Sequence, residues 1–248
     1  MKIAITTDTH YGYNGDKTRK NHEKFLISLA EAMALHDCKL LCHTGDWATH
    51  KHSQLAKTFE QFRQYIKQPI LTVFGNHDYW NVIDRYKPLK WEDLVKSQNE
   101  LLLKFDITHV GENPVVIDNI LFAGYNGWYA NLNPPSNDLN FMPKWIEGIP
   151  THEFLNKKSH NDLNKLLYSL DKFQYEKAVC LTHFPPFIDN PAYADFTGNP
   201  SHLPFLKESF NVLIVGHSHR THDYVDEGLR IINSGAEYHF PRFIIVEI

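Results

Sequence analysis

At 248 residues, 42% of them hydrophobic, the chain is long enough to bury a sizeable core without disulfide staples, and one α/β domain over residues 1–248 fits its length. The formal net charge of -4, with acidic and basic residues interleaved, excludes the electrostatic footprint of tight, sequence-blind DNA binding. No apolar run reaches the roughly 18 residues of a membrane helix, and Met1-Lys2 leads too soon to Asp8 for a signal peptide, so no membrane partner and a cytoplasmic location are expected.

The first strand is expected over Ile3 to Thr7, followed by a loop with Gly12, Asn14 and Gly15. Phe25, Leu26, Leu29 and Met33 recur at helical spacing. A second strand runs to Thr44, and Leu55, Phe59, Phe62 and Ile66 mark a second helix with Ser53 as its N-cap. Pro69 closes that helix and Ile70 to Phe74 form a third strand, so strands and helices alternate, which implies parallel strands with right-handed crossovers. Trp91, Leu94, Val95, Leu101 and Leu102 suggest a third helix, and Val115–Asp118 and Ile120–Ala123 two strands joined tightly through Asn119. Tyr125 to Phe154, rich in proline and aromatic residues, reads as a functional loop in which Trp128, Tyr129, Phe141 and Trp145 wall a substrate pocket. Leu163, Leu166, Leu167 and Leu170 mark a fourth helix, Phe184 to Pro204 a second shaped loop, and the alternating segments after His219 late, antiparallel strands.

Five of the strand-like runs end on polar side chains that do not belong in a core. They are Asp8-Thr9-His10, Gly45-Asp46, Gly75-Asn76-His77-Asp78, Thr182-His183 and Gly216-His217-Ser218-His219. In open α/β sheets the carboxyl ends of strands face the ligand crevice. Asp8 and His10, two apart, would share one face of an extended chain. Asp46 has two acceptor oxygens and could bridge two cations; Asn76 adds a neutral oxygen, and His183, His217 and His219 add imidazole nitrogens. That set exceeds one tetrahedral zinc and suits two ions, with manganese, iron or zinc favoured by the mix of oxygen and nitrogen donors. The other eleven of the sixteen histidines, His22, His43 and His109 among them, are read as ordinary surface or core residues. Cys38, Cys42 and Cys180 form no C-x-x-C pair and read as buried free thiols of a reducing compartment.

In order, the five blocks resemble those of the calcineurin-like metallophosphoesterases, over residues 8 to 219. The resemblance implies a four-layer sandwich of two mixed β-sheets flanked by helices, with a binuclear metal centre at the strand ends. It assigns Asp8, His10, Asp46 and His219 to one ion and Asp46, Asn76, His183 and His217 to the other, with His77 beside the phosphate. The segment Trp47-Ala48-Thr49-His50 lacks the aspartate and arginine that the serine/threonine protein phosphatases carry there, which sets the chain apart from that branch.

The expected chemistry is attack on phosphorus by a hydroxide held between two cations. His77 would protonate the leaving oxygen or bind the phosphoryl group with Asn76, and Asp78 would hold the His77 ring or cap the next turn. A small phosphodiester or phosphomonoester is the expected substrate. A DNA or RNA exonuclease ranks second, for want of a basic patch and of room for a capping domain, and a non-catalytic protein-binding scaffold third, since every ligand position is filled.

Overall fold

Strands covered on both faces need near-continuous apolar runs. Such runs, Ile3-Ala4-Ile5, Leu40-Leu41-Cys42 and Ile70-Leu71, build the first sheet. The computed structural model describes residues 1–12, 16–48, 52–79, 90–130, 148, 151–188, 197–237 and 240–248. Strand β1 (Lys2–Thr6), helix α1 (Asp16–Leu35), β2 (Leu41–His43), α2 (His52–Tyr65) and β3 (Ile70–Thr72) alternate as the sequence indicates. A four-residue helix, α3 (Asn76–Tyr79), follows, then α4 (Trp91–Lys104) and β4 (Ile107–His109). These strands and β13 (Phe243–Glu247) form a sheet of order β13-β1-β2-β3-β4, all parallel except β13.

The second sheet collects β5 (Val115–Ile117), β6 (Ile120–Gly124), β7 (Lys177–Leu181), β8 (Val212–Ile214), β9 (Thr221–Asp226) and β10 (Leu229–Ser234) in the order β5-β6-β7-β8-β10-β9. Helix α5 (His152–Ser169) precedes β7, and α6 (Leu203–Ser209) precedes β8; β11 (Ala236–Glu237) and β12 (Phe240–Pro241) form a small separate ribbon.

Strand alternation sorts the core into layers. Ile3, Ile5, Cys42 and Leu71 face Phe122, Val179, Leu181, Ile214 and Ile232 across the space between the sheets. Ala4, Leu41 and Ile70 point the other way, onto Leu26, Leu29, Phe59 and Phe62 of α1 and α2. Leu121, Ala178, Cys180 and Leu213 pack outward on Leu163 and Leu166 of α5 and Leu206 of α6. The result is helix, sheet, sheet, helix, the expected four-layer sandwich. All three cysteines are free and buried.

Some details differ. Helix α2 already starts at His52, which puts Ser53 inside its first turn rather than at the cap. Helix α5 starts at His152, capped by Thr151 Oγ1 accepting from the Phe154 backbone N–H, so it claims the end of the segment read as loop. The proline-rich stretch before β8 holds a short 3-10 turn (Pro200–His202) and the start of α6, prolines being tolerated in a helix's first turn. Among the late strands β10 runs parallel to β8, while β9 and β13 pair antiparallel. Asp118 and Asn119 both take positive φ, 50° and 61°, in the tight β5–β6 turn. Phe141 and Trp145 lie outside the described residues.

Candidate metal centre

The ends of β1, β2, β3, β7 and β8 meet at one edge of the two sheets, and each delivers one of the polar blocks. The convergence does not come from strand alternation. Asp8, His10, Asp46, His217 and His219 all sit in the left-handed region, with φ of 50°, 44°, 56°, 63° and 56°. Asp8 and His10 therefore reach a common point through successive sharp bends of the backbone, not as neighbours on an extended face. Asp, Asn and His tolerate this region better than other non-glycine residues, but it still costs about 1–2 kcal/mol per residue. Neighbouring bonds hold the bends in place: Asp8 N donates to Gly45 O and His10 N to Asp46 O, each at 3.0 Å. Gly45 (φ 96°) and Gly75 keep the crossing open, since a Cβ on Gly75 would stand 2.2 Å from Asp46 Oδ1.

Both carboxylates are divided in their duties. Asp8 Oδ2 accepts from the Thr7 hydroxyl at 2.6 Å and from the His217 backbone N–H at 3.0 Å, while its Oδ1 is buried with no hydrogen-bond partner among the described residues. That bare oxygen lies 3.5 Å from His219 Nε2 and 3.9 Å from His10 Nε2. Asp46 Oδ1 accepts from the His77 backbone N–H at 2.9 Å. Its Oδ2 faces His183 Nε2 at 3.4 Å and the Nε2 atoms of His10 and His77 at 3.9 Å each. Among the described residues three sets of donor atoms lie within 4.8 Å of one another: Asp8, His10 and His219; His10, Asp46 and His77; Asp46, His183 and His217.

His183 shows what this geometry requires. Its Nδ1 is 2.7 Å from Thr44 O, and a carbonyl only accepts, so Nδ1 carries the hydrogen. Nε2 then turns a lone pair toward two more acceptors, Asn76 Oδ1 at 3.0 Å and Asp46 Oδ2 at 3.4 Å. Acceptors brought together in this way need a cation among them. Without metal a proton serves: burial lowers the His183 pKa, but the Asp46 carboxylate outweighs it and carries the value up to about 9. Burial likewise opposes ionisation of Asp46, yet His183 and His77 hold its carboxyl well below the usual range. Burial, then His77, pushes His10 well below the ordinary imidazole value; burial, then His183, does the same to His217. Imidazole nitrogens, carboxylate oxygens and a neutral amide oxygen form a donor set that fits transition-metal cations.

The remaining expected site residues have other duties. Asp78 accepts from three backbone N–H groups, Asp46 at 2.8 Å, Gly75 at 2.9 Å and Trp47 at 3.1 Å. Its carboxylate thus clamps the Gly45-Asp46 turn to the Gly75-Asn76 turn, which is neither of the two duties expected from its place in the sequence. Burial and the Asp46 charge raise its pKa to about 8, against the pull of those donors. Trp128 and Tyr129 are each 1% exposed and offer no free face for a substrate to stack on. Trp128 donates its indole N–H to His152 Nδ1 at 3.1 Å, and Tyr129 packs edge-on against the His217 ring, with centroids 5.4 Å apart. Gly127, just before them, takes positive φ, 75°.

Two further residues stand directly under the site, His43, read as an ordinary histidine, and Asn126, which the sequence reading does not single out. His43 accepts from the Gly45 N–H through Nδ1 at 3.1 Å, meets Thr9 Oγ1 through Nε2 at 3.2 Å, and stacks on Trp47 at 3.5 Å between ring centroids. Asn126, at the end of β6, accepts from Phe74 N at 2.8 Å with its side chain and from His183 N at 3.2 Å with its main chain. Nothing local in the sequence marks either one, since their partners lie up to 57 residues away in the chain.

Residues 1–221 match the family model of the calcineurin-like phosphoesterases. No curated protein matches the sequence. Among solved structures the chain is similar to the phosphopantetheinyl hydrolase of Mycobacterium tuberculosis, at 15% identity and a TM-score of 0.71, over 98% of this chain and 95% of that one. It is also similar to a dimetal phosphatase from Danio rerio, at 13% identity and a TM-score of 0.59 over 99% and 91% of the two chains. A putative 5'-nucleotidase from Staphylococcus aureus aligns at 12% identity and a TM-score of 0.59, covering all of this chain but 51% of that one. At these identities the likeness speaks for the fold, and among the described residues no helix is long and apolar enough to cross a membrane. The family match, running through all five polar blocks, goes further: the chain belongs to the calcineurin-like phosphoesterase family and is a metal-dependent phosphoric ester hydrolase.

Proposed function

We propose that the chain hydrolyses a small phosphodiester or phosphomonoester at a centre of two cations. Asp8, His10, Asp46 and His219 hold one, and Asp46, Asn76, His183 and His217 the other; manganese, iron or zinc suit the donors. The observation that carries this reading is the position of Asp46 Oδ2, which belongs to both the His10 and the His183 groups of donor atoms. The Danio rerio relative, a dimetal phosphatase by name, supports a pair of ions.

When bound, the cations polarise a phosphoryl oxygen and lower the pKa of water, supplying a nucleophile near neutral pH. The protein's share is position and proton delivery. His77 Nε2 lies 3.9 Å from Asp46 Oδ2, with its ring edge-on to His10 at 4.5 Å between centroids, so it reaches the rim of the donor cluster. From there it donates a proton to the leaving oxygen. Asp78 keeps its three N–H partners and thereby fixes the spacing between Asp46 and Asn76.

Asp8 and His10 are fully buried and Asp46 and Asn76 are 1% and 2% exposed, whereas His217 and His219 are half-buried, so the centre is recessed and opens at the His217–His219 side. A recessed centre suits a small ester better than the backbone of a duplex, and the interleaved charge of the chain offers nucleic acid no track. A panel of phosphate esters with manganese-loaded protein tests the reading. Bis-p-nitrophenyl phosphate or a small monoester should be turned over and linear duplex DNA left intact. Efficient degradation of the duplex would put the exonuclease reading first, and no turnover of any ester with metal bound would favour the scaffold.

A further inference from the structure

Asn126 ties together two loops from different sheets. Its side-chain oxygen accepts from Phe74 N at 2.8 Å, one residue before the Gly75-Asn76 turn. Its main-chain oxygen accepts from His183 N at 3.2 Å. Asn76 and His183 are themselves in contact, Oδ1 to Nε2, at 3.0 Å. Neither bond reaches the block that carries Asp8 and His10.

The orientation of the Asn126 amide follows from its neighbours. Only an oxygen accepts a backbone N–H, so the group facing Phe74 N is Oδ1. His109 Nε2 lies 2.8 Å from the same oxygen and so must carry its hydrogen. The ring of His109 stacks on Phe74, with centroids 5.1 Å apart, and burial keeps it neutral by lowering its pKa. The amide nitrogen of Asn126 in turn donates to the Tyr79 hydroxyl, at the end of α3. Asn126 and His109 also line a cavity of about 480 Å³ bounded by α5 and the β4–β5 loop. This polar unit is therefore not core filling: it has open space on one side and the ligand loops on the other.

We infer that Asn126 is a positioning residue for one half of the metal centre, the half formed by Asn76 and His183. Three donors, Phe74 N–H, His109 Nε2–H and the Tyr79 hydroxyl once it is turned, are all able to bond a carboxylate in place of the amide. Asn126→Asp therefore keeps the arrangement, whereas Asn126→Leu, similar in volume and with cavity beside it, removes it. The inference rests on the two-ion reading, and metal titration followed by calorimetry and elemental analysis separates the two. Wild-type protein should bind two manganese ions. Asn126→Leu should bind one ion as wild type does and the other about 10–100-fold more weakly, the usual effect of removing a support behind a ligand. Asn126→Asp should restore it. Wild-type protein that binds a single ion would overturn the two-ion reading and this inference with it. Wild-type protein that binds two, beside an Asn126→Leu variant that binds both unchanged or both equally weakened, would overturn the inference alone. Should Asn126→Leu not fold, His109→Leu removes one donor of the same unit from outside the main chain's path. A selective loss of one ion supports the inference, and unchanged binding of both overturns it.

Discussion

Asp46 accepts the backbone N–H of His77 through Oδ1 at 2.9 Å, which leaves Oδ2 as the oxygen turned toward the imidazoles. The carboxylate is thus held through one oxygen by the residue that follows Asn76, while the other oxygen lies 3.4 Å from His183 Nε2 and 3.9 Å from His10 Nε2.

Metal content should follow from this sharing. Asp46→Ala should reduce binding of both ions, whereas Asp8→Ala should affect the ion held by His10 and His219 and leave the other in place. Elemental analysis and manganese titration of the two variants make the comparison, and a chelator should abolish wild-type activity. Equal stoichiometry in both variants would separate Asp46 from its bridging role.

His77→Asn should retain metal while turnover falls by roughly a hundredfold or more, the usual size for general acid catalysis. The deficit should shrink for p-nitrophenyl esters, whose leaving groups need little protonation. His77 Nε2 also falls within the donor group of His10 and Asp46, so metal analysis must accompany the kinetics. A variant short of metal, or one with equal deficits for good and poor leaving groups, would remove the acid role.

Gly75→Ala places a methyl group 2.2 Å from Asp46 Oδ1 and 2.7 Å from His183 Nε2. Both atoms must give way. Stability should fall by about 1–3 kcal/mol, the range for an overpacked site, and metal content should fall with it. Thermal melting and elemental analysis read the two effects; wild-type values in both would contradict the close approach.

His22 has a pH signature of its own. It is fully buried against Tyr11, Phe25 and Phe62, neither ring nitrogen has a hydrogen-bond partner among the described residues, and burial lowers its pKa from 6.5 to about 4. The folded state therefore binds the proton less readily than the unfolded one. Its contribution is fully present above pH 6.5 and is lost as the pH falls toward 4, to the extent of about 3 kcal/mol. His22→Leu should gain on wild type over that window when both are compared in chelator by urea denaturation. A difference that stays flat with pH would mean that His22 protonates at no cost to the fold.

What the sequence discloses about this fold depends on distance along the chain. The five strand ends are legible because each apolar run and its polar tail are contiguous, and their order carries the family. Strand β4 escapes because Ile107-Thr108-His109 is too short to show a period and becomes a strand only by pairing with β3. Helix α6 hides behind the prolines that open it. Asp78 is found at the right place with a different duty, since its partners at Asp46 and Trp47 are 32 and 31 residues away. His43 and Asn126 owe their importance to crossings between blocks, which no local pattern records. Trp128 and Tyr129 mislead for a related reason: their aromatic character is evident, but their burial, each at 1% exposed, depends on partners distant in the chain such as Phe184.

The left-handed backbone at Asp8, His10, Asp46, His217 and His219 has a bearing on how this site tolerates change. Ligand chemistry and main-chain handedness select the same few amino acids there, so a substitution is screened twice. Glutamate in place of Asp8 would keep a carboxylate yet lose the ease with which aspartate occupies this conformation. Glycine would do the reverse: it relieves the backbone, but it gives up the carboxylate and leaves the Thr7 hydroxyl and the His217 N–H without their acceptor. Backbone handedness is thus a second constraint on these positions, acting on the same side chains as their chemistry does.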